Sequence, residues 1–179
     1  MKKLKHSLLI LPFLFLSCSS DDSSSTPADT QPEFAMTATI NSAQFKANNP
    51  FGTNAYSTTN IWDYFPEEDF VMLQGRQGGV WGNPEINIWL KRSDIVVGTY
   101  PIGGEAFETP PSHFIDLVDN MNDESEYTKQ GSITITSVNT TTKIVKGTFT
   151  FTTVDDPNNP EAPVNNTVTN GTFNYKYAE

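Results

Sequence analysis

Cysteine is almost missing from this sequence. Its 179 residues include one, together with two histidines, and hydrophobic residues make up only 36%. A single cysteine excludes an internal disulfide, and two histidines leave little from which to build the common zinc sites or a Ser-His-Asp triad. A membrane-spanning run is lacking too: the apolar stretch 8–16 falls short of the ~20 residues a bilayer requires, and Pro12 interrupts it. A hydrophobic share below the usual ~45–50% still permits a packed core. The reason is that 12 Phe, 6 Tyr and 3 Trp bring large apolar side chains. The length suits one domain.

What is present begins at the N-terminus. Lys2, Lys3 and Lys5 precede the apolar run, so residues 1–17 read as an export signal peptide. The lone cysteine follows directly, in Phe15-Leu16-Ser17-Cys18, which resembles a bacterial lipobox. The resemblance implies that Cys18 becomes the first mature residue, its thiol carrying a diacylglycerol and its amine an acyl chain, and several chains at ~0.8 kcal/mol per methylene hold a domain durably on a membrane. Residues 18–33 then contain no large apolar side chain before Pro32 and Glu33 and read as a lipidated flexible tether. Asp21 and Asp22 resemble the acidic export signal of Bacteroidota lipoproteins bound for the outer leaflet; a plain solvated linker is the alternative.

All 21 acidic residues lie after Cys18, whereas three of the 11 basic ones precede it, which leaves the mature chain at −13. Nucleic acid and anionic headgroups recruit basic patches, so neither is an expected partner.

From Phe34 onward the hydrophobic pattern has period two, the mark of strands with one buried face. Met36, Ala38 and Ile40 alternate with polar residues, Asn41-Ser42 turns the chain, and Ile86, Ile88 and Leu90 alternate with Asn87, Trp89 and Lys91. Ile95 to Tyr100 reads as a strand that Pro101 to Gly104 ends. Gly147-Thr148-Phe149 is echoed by Gly171-Thr172-Phe173, and the two elements read as sides of one long hairpin with the glycines marking bulges or close approach. Residues 109–130 carry both a helical spacing (Phe114, Leu117, Val118, Met121) and a turn cluster between two apolar segments, and the strand pair is the preferred reading. Residues 34–179 are therefore expected to form an all-β, antiparallel β-sandwich or flattened barrel of about 8–10 strands with at most one short helix.

Chemistry-bearing motifs are sparse. The mature chain has one histidine, His113, which reads as a surface or strand residue, and no G-x-S-x-G occurs. The glycines at 75, 78, 79 and 82 lack a following Lys-Ser/Thr pair and read as loop glycines. Carboxylates such as Glu67, Glu68 and Asp69, or Asp116, Asp119, Asp123 and Glu124, leave a glycoside hydrolase as a remote alternative. Asp119, Asn120, Asn122, Asp123 and Glu124 offer oxygen ligands for a possible calcium ion, although the spacing is not that of an EF-hand; Asp155, Asp156, Asn158 and Asn159 form a second such loop. No other cofactor is expected.

The aromatic signal is sharper. Trp89 is out of phase with the core positions of its strand, beside Asn87, and an exposed indole next to an amide suits stacking of a sugar ring. Trp62 and Trp81, in loop-like segments, could join it, as could Tyr64 and Tyr100. The competing reading is that this face is covered and Trp89 packs against protein.

With Cys18 followed by Asp21-Asp22, MTATINSAQFKA (36–47), VGTYPI (97–102), GSITITSV (131–138), KIVKGTFTFT (143–152) and VTNGTFNYKY (168–177), the chain resembles a family of uncharacterised Bacteroidota lipoproteins grouped as a domain of unknown function. The resemblance implies the compartment and the β fold and brings no activity and no site residues. The expectation is a cell-envelope lipoprotein, anchored through Cys18 in the outer membrane, non-enzymatic, and binding a glycan or an envelope protein. A structural or shielding lipoprotein without a specific ligand is the alternative.

Overall fold

The computed structural model describes residues 33–48, 57–62, 69–79, 84–103, 113–119, 124–156, 159 and 161–177. The signal and tether assigned to 1–17 and 18–33, Cys18 included, lie outside these residues except for Glu33. Strand β1 (Phe34–Ile40) turns into β2 (Ala43–Asn48) with Ile40 paired to Ala43, so Asn41 and Ser42 alone form the turn. Both have positive φ, 47° and 74°, as in a type I′ turn, whose twist matches the flanking strands. Asn41 also fastens the turn to the far end of the chain: its Nδ2 donates to Asn166 Oδ1 at 2.7 Å and its Oδ1 accepts the Thr167 N–H at 2.9 Å.

Strands β3 (Ser57–Trp62), β4 (Phe70–Arg76) and β5 (Pro84–Lys91) form a meander. They are followed by β6 (Gly98–Ile102), β7 (His113–Asp119), β8 (Glu124–Asn139), β9 (Ile144–Val154) and β10 (Asn166–Lys176). The order across the sheet is β2-β1-β10-β9-β8-β7-β5-β4-β3, with β6 joined to β8, and every pairing is antiparallel. The expected all-β antiparallel class is what the chain adopts, as one sheet curled into a half-barrel. Among the described residues there is no α-helix, only 3₁₀ turns at Gln77–Gly79 and Arg92–Asp94.

The 16-residue β8 joins the two arms. Its first residues pair with β7 (Leu117 with Glu126), its middle with β6 (Ile102 with Gly131, Gly98 with Ile135), and its other edge with β9. The curl then brings β10 over β4, where the Tyr175 hydroxyl donates to the Gln74 carbonyl at 2.9 Å. Gly75 of β4 leaves room there for Met36: a Cβ at that position would stand 2.9 Å from Met36 Sδ and make the methionine tip shift. Between the arms lie Met36, Phe45, Leu73, Ile86, Ile88, Leu90, Ile133, Ile135, Phe151 and Tyr175, all fully buried. Each large aliphatic among them contributes about 1.5–3 kcal/mol relative to exposure.

The two Gly-Thr-Phe elements do sit side by side, and register explains the glycines. Gly147 faces Phe173 and Gly171 faces Phe149 across the β9–β10 ladder, and a Cβ on either glycine would run into the opposite ring. Gly131 of β8 also faces a phenylalanine, Phe151, but a Cβ there would meet the Thr150 carbonyl and the Phe151 Cα and Cβ instead of the ring. The bulge expected near Gly171 is present, between Val168 and Gly171.

Residues 113–119 and 124–126 form the preferred strand pair, with His113, Ile115 and Leu117 buried in strand alternation. Three expectations are corrected. Trp62 ends β3, an edge strand whose Ser-Thr-Thr-Asn run hides the apolar alternation. Pro101 does not end a strand but lies within β6, tolerated because β6 bonds along one edge only. His113 is a strand residue, yet it is 1% exposed and points into the core side with Leu90, which excludes the surface reading.

Candidate functional site

The outer face of β4, β5 and β7 is built by register. Met72, Trp89 and Phe114 form one row across the three strands, Gln74, Asn87 and Asp116 the next, and Arg76, Glu85 and Val118 a third. Trp89 stacks on Phe114 with ring centroids 5.2 Å apart and planes 9° from parallel, and Phe70 meets Phe114 edge-on at 5.4 Å. Such pairs contribute about 0.5–1.5 kcal/mol beyond area burial and fix ring orientation.

Asp116 is the polar centre of this face. Its Oδ2 accepts the Trp89 indole N–H at 2.6 Å and its Oδ1 accepts Asn87 Nδ2 at 2.8 Å. Burial pushes its carboxyl up from 3.8 to about 6; the two donors oppose that rise and the nearby Glu85 carboxylate adds to it. Glu85 is itself held from β4, with Arg76 Nη2 at 2.6 Å and Nε at 2.8 Å from Oε2, and Gln74 Nε2 at 2.7 Å from Oε1.

Asn87 and Trp89 are thus brought together as the sequence suggested, but around a carboxylate. Asn87 is 6% exposed, and its Oδ1 accepts no hydrogen bond among the described residues. Trp89 is half-buried, with its N–H engaged and one ring face stacked on Phe114. Phe70 and Met72 on the same face are buried. Trp62 pairs through its backbone with Phe70, at the edge of this arm; Trp81 and Tyr64 lie outside the described residues. Tyr100 is elsewhere, its hydroxyl donating to Val96 O at 3.0 Å and its ring edge-on to His113 at 4.3 Å. His113 Nδ1 accepts the Lys91 backbone N–H at 3.2 Å, which places the ring proton on Nε2.

The calcium candidates Asn120, Asn122 and Asp123 fall outside the described residues, and Asp119 and Glu124 are seen as the backbone pair that opens the β7–β8 connection. In the second loop Asp155 accepts a hydrogen bond from Asn165, which also reaches Glu126 Oε2 at 3.3 Å. Among the described residues no group of three or more His, Cys, Asp or Glu is arranged to hold a metal ion.

Sequence reasoning named Asp116 only as one of several carboxylates and missed Phe114 as the partner of Trp89. Alternation of Ile115 and Leu117 turns both outward, but their pairing with Asn87 and Trp89 depends on a register that spacing along one strand does not reveal.

No curated protein and no solved structure matches the chain. One family model does, over residues 34–175, from the start of β1 almost to the end of β10, and the chain belongs to that family, a domain of unknown function designated DUF6252.

Proposed function

We propose that the chain is a cell-envelope lipoprotein, anchored in the outer membrane through acylated Cys18 and displayed on a flexible tether. In this reading its β domain is a non-enzymatic binding module for a glycan or an envelope partner. The signal, the lipobox-like Cys18 and the acidic tether support the anchoring, and the resemblance to Bacteroidota lipoproteins supports the compartment. The observation that supports binding is the Trp89 ring, locked by Phe114 and Asp116, because an aromatic held in one orientation loses little entropy on meeting a ligand.

The burial of Asn87, Phe70 and Met72 on the same face favours the second reading, a shielding lipoprotein with no ligand there. A thermal-shift screen of the full-length protein against envelope glycans decides between them, since a ligand of the native state must raise the melting temperature. A rise that Trp89→Ala abolishes supports the platform; a flat response to every glycan, with envelope pull-downs unchanged by Trp89→Ala, leaves the shielding reading.

A further inference from the structure

A second surface is built for a ligand more openly than the Trp89 face. A depression of about 370 Å³ lies on the outer side of the other arm, where β1, β8, β9 and β10 meet. That volume is at the lower end of the ~300–1,000 Å³ of small-molecule sites. Two irregularities in the ladders frame it: the β1–β2 register slips between Phe34 and Met36, and the β8–β9 register slips between Ile135 and Ser137. Such slips withdraw or re-aim side chains from a regular sheet.

The lining is mixed, with polar side chains beside Phe34, Ala35 and Phe173. Thr37 and Thr172, cross-strand partners, share a hydrogen bond at 2.7 Å between their hydroxyls, and Thr136 donates to the Lys146 carbonyl at 3.2 Å. Asn174 pairs with Lys146 across the β9–β10 ladder, and its Oδ1 is buried without a hydrogen bond among the described residues. Phe34 supplies an apolar wall and is steadied by Lys46, whose Nζ lies 5.1 Å from the ring centroid.

These groups restrict the ligand's chemistry. A buried acceptor without a donor is expensive, so a fitting ligand brings an O–H or N–H to Asn174 Oδ1. An ionised carboxylate brings no donor, and because the Glu33 carboxylate and the Lys146 ammonium both line the cavity, neither sign of charge is favoured there. A hydroxyl-rich neutral molecule satisfies the amide and both threonines and lays its C–H face on Phe34. We propose that this depression binds a neutral saccharide unit, through Asn174, the Thr37–Thr172 hydroxyl pair and Phe34. The proposal does not rest on the Trp89 face, which belongs to the opposite arm.

The test is saturation-transfer NMR on the full chain, in a detergent without a sugar headgroup. The probes are galactose, N-acetylglucosamine and methyl mannoside at concentrations on the order of 10 mM, adequate for weak sites. Transfer to at least one probe is expected, with affinity falling about tenfold or more in Thr172→Val and in Asn174→Leu, because each leaves a ligand hydroxyl unpaired. Asn174→Asp, which keeps an acceptor, should bind within about threefold of the parent. Both threonine and asparagine positions point outward, and circular dichroism of each variant checks that the strand signal is intact. The proposal is overturned by no transfer to any probe, by transfer that both variants leave unchanged, or by displacement of the sugar with inorganic phosphate. Loss of transfer in Trp89→Ala with retention in Asn174→Leu would also overturn it while upholding the Trp89 platform.

Discussion

Asp116 makes stability depend on pH in an unusual direction. Folding raises its pKa from 3.8 to about 6, so the folded state holds the proton more tightly than the unfolded chain does. Its contribution to stability is therefore complete below about 3.8 and is lost as pH rises through about 6. A shift of that size corresponds to about 3 kcal/mol between the two limits. Asp116→Asn removes the ionisation and keeps one acceptor, for the Trp89 indole N–H, while its new amide donates to Asn87 Oδ1 once the Asn87 amide rotates. The assay is urea unfolding of parent and variant from pH 4 to 8 at constant ionic strength, followed by tryptophan fluorescence. The difference should be near zero at pH 4 and grow to about 3 kcal/mol in favour of Asp116→Asn by pH 8. That equals a gain of about 6–12 °C in melting temperature for a domain of this size. Parallel curves across the range, or a variant less stable than the parent at pH 8, would refute the reasoning.

The remaining predictions concern packing and anchoring. Gly147→Ala and Gly171→Ala each force a methyl group into the ring of Phe173 or Phe149, Gly147→Ala against the Thr134 carbonyl as well, and each should lower stability by about 1–3 kcal/mol in urea titrations; a loss below about 0.5 kcal/mol would refute the clash. Ser42→Gly relieves a positive φ at the second turn position and should raise stability by about 0.5–1 kcal/mol, with the opposite sign arguing against the type I′ turn. Tyr175→Phe deletes the bond to Gln74 O and should cost about 1 kcal/mol without changing the circular dichroism spectrum. Cys18→Ala should abolish metabolic labelling with palmitate and shift the protein from the membrane to the soluble fraction; a variant still acylated contradicts the anchor.

Much of the fold was legible because polar and apolar residues alternate plainly in β1, β5, β7, β9 and β10, and because Asn41-Ser42 spells out a two-residue turn. Strand β3 was not, since Ser57 to Asn60 carry no apolar residue and so show no alternation. Pro101 misled for a different reason: only the topology shows that the strand holding it is bonded on one side. For the site, alternation placed Trp89 and Asn87 on a common outer face correctly. What it could not supply was the neighbouring strand, and with it the carboxylate that occupies the indole N–H and the amide. Asn174 and Thr37 are 137 residues apart in number and meet at one depression only through the β1–β10 pairing.

That pairing also fixes the order in which the domain can be completed. Strand β1 is the first of the described strands to be synthesised, yet its second neighbour is β10, the last of them: Thr37 bonds Thr172, and the Asn41 turn is fastened to Asn166 and Thr167. Until then one side of the β1–β2 hairpin is an open edge, able to pair with other chains. Contacts of such long sequence separation form slowly. The first hairpin must therefore wait for nearly the whole chain to arrive, and a truncation ahead of Asn166 removes the closing strand and leaves that hairpin as a site for aggregation.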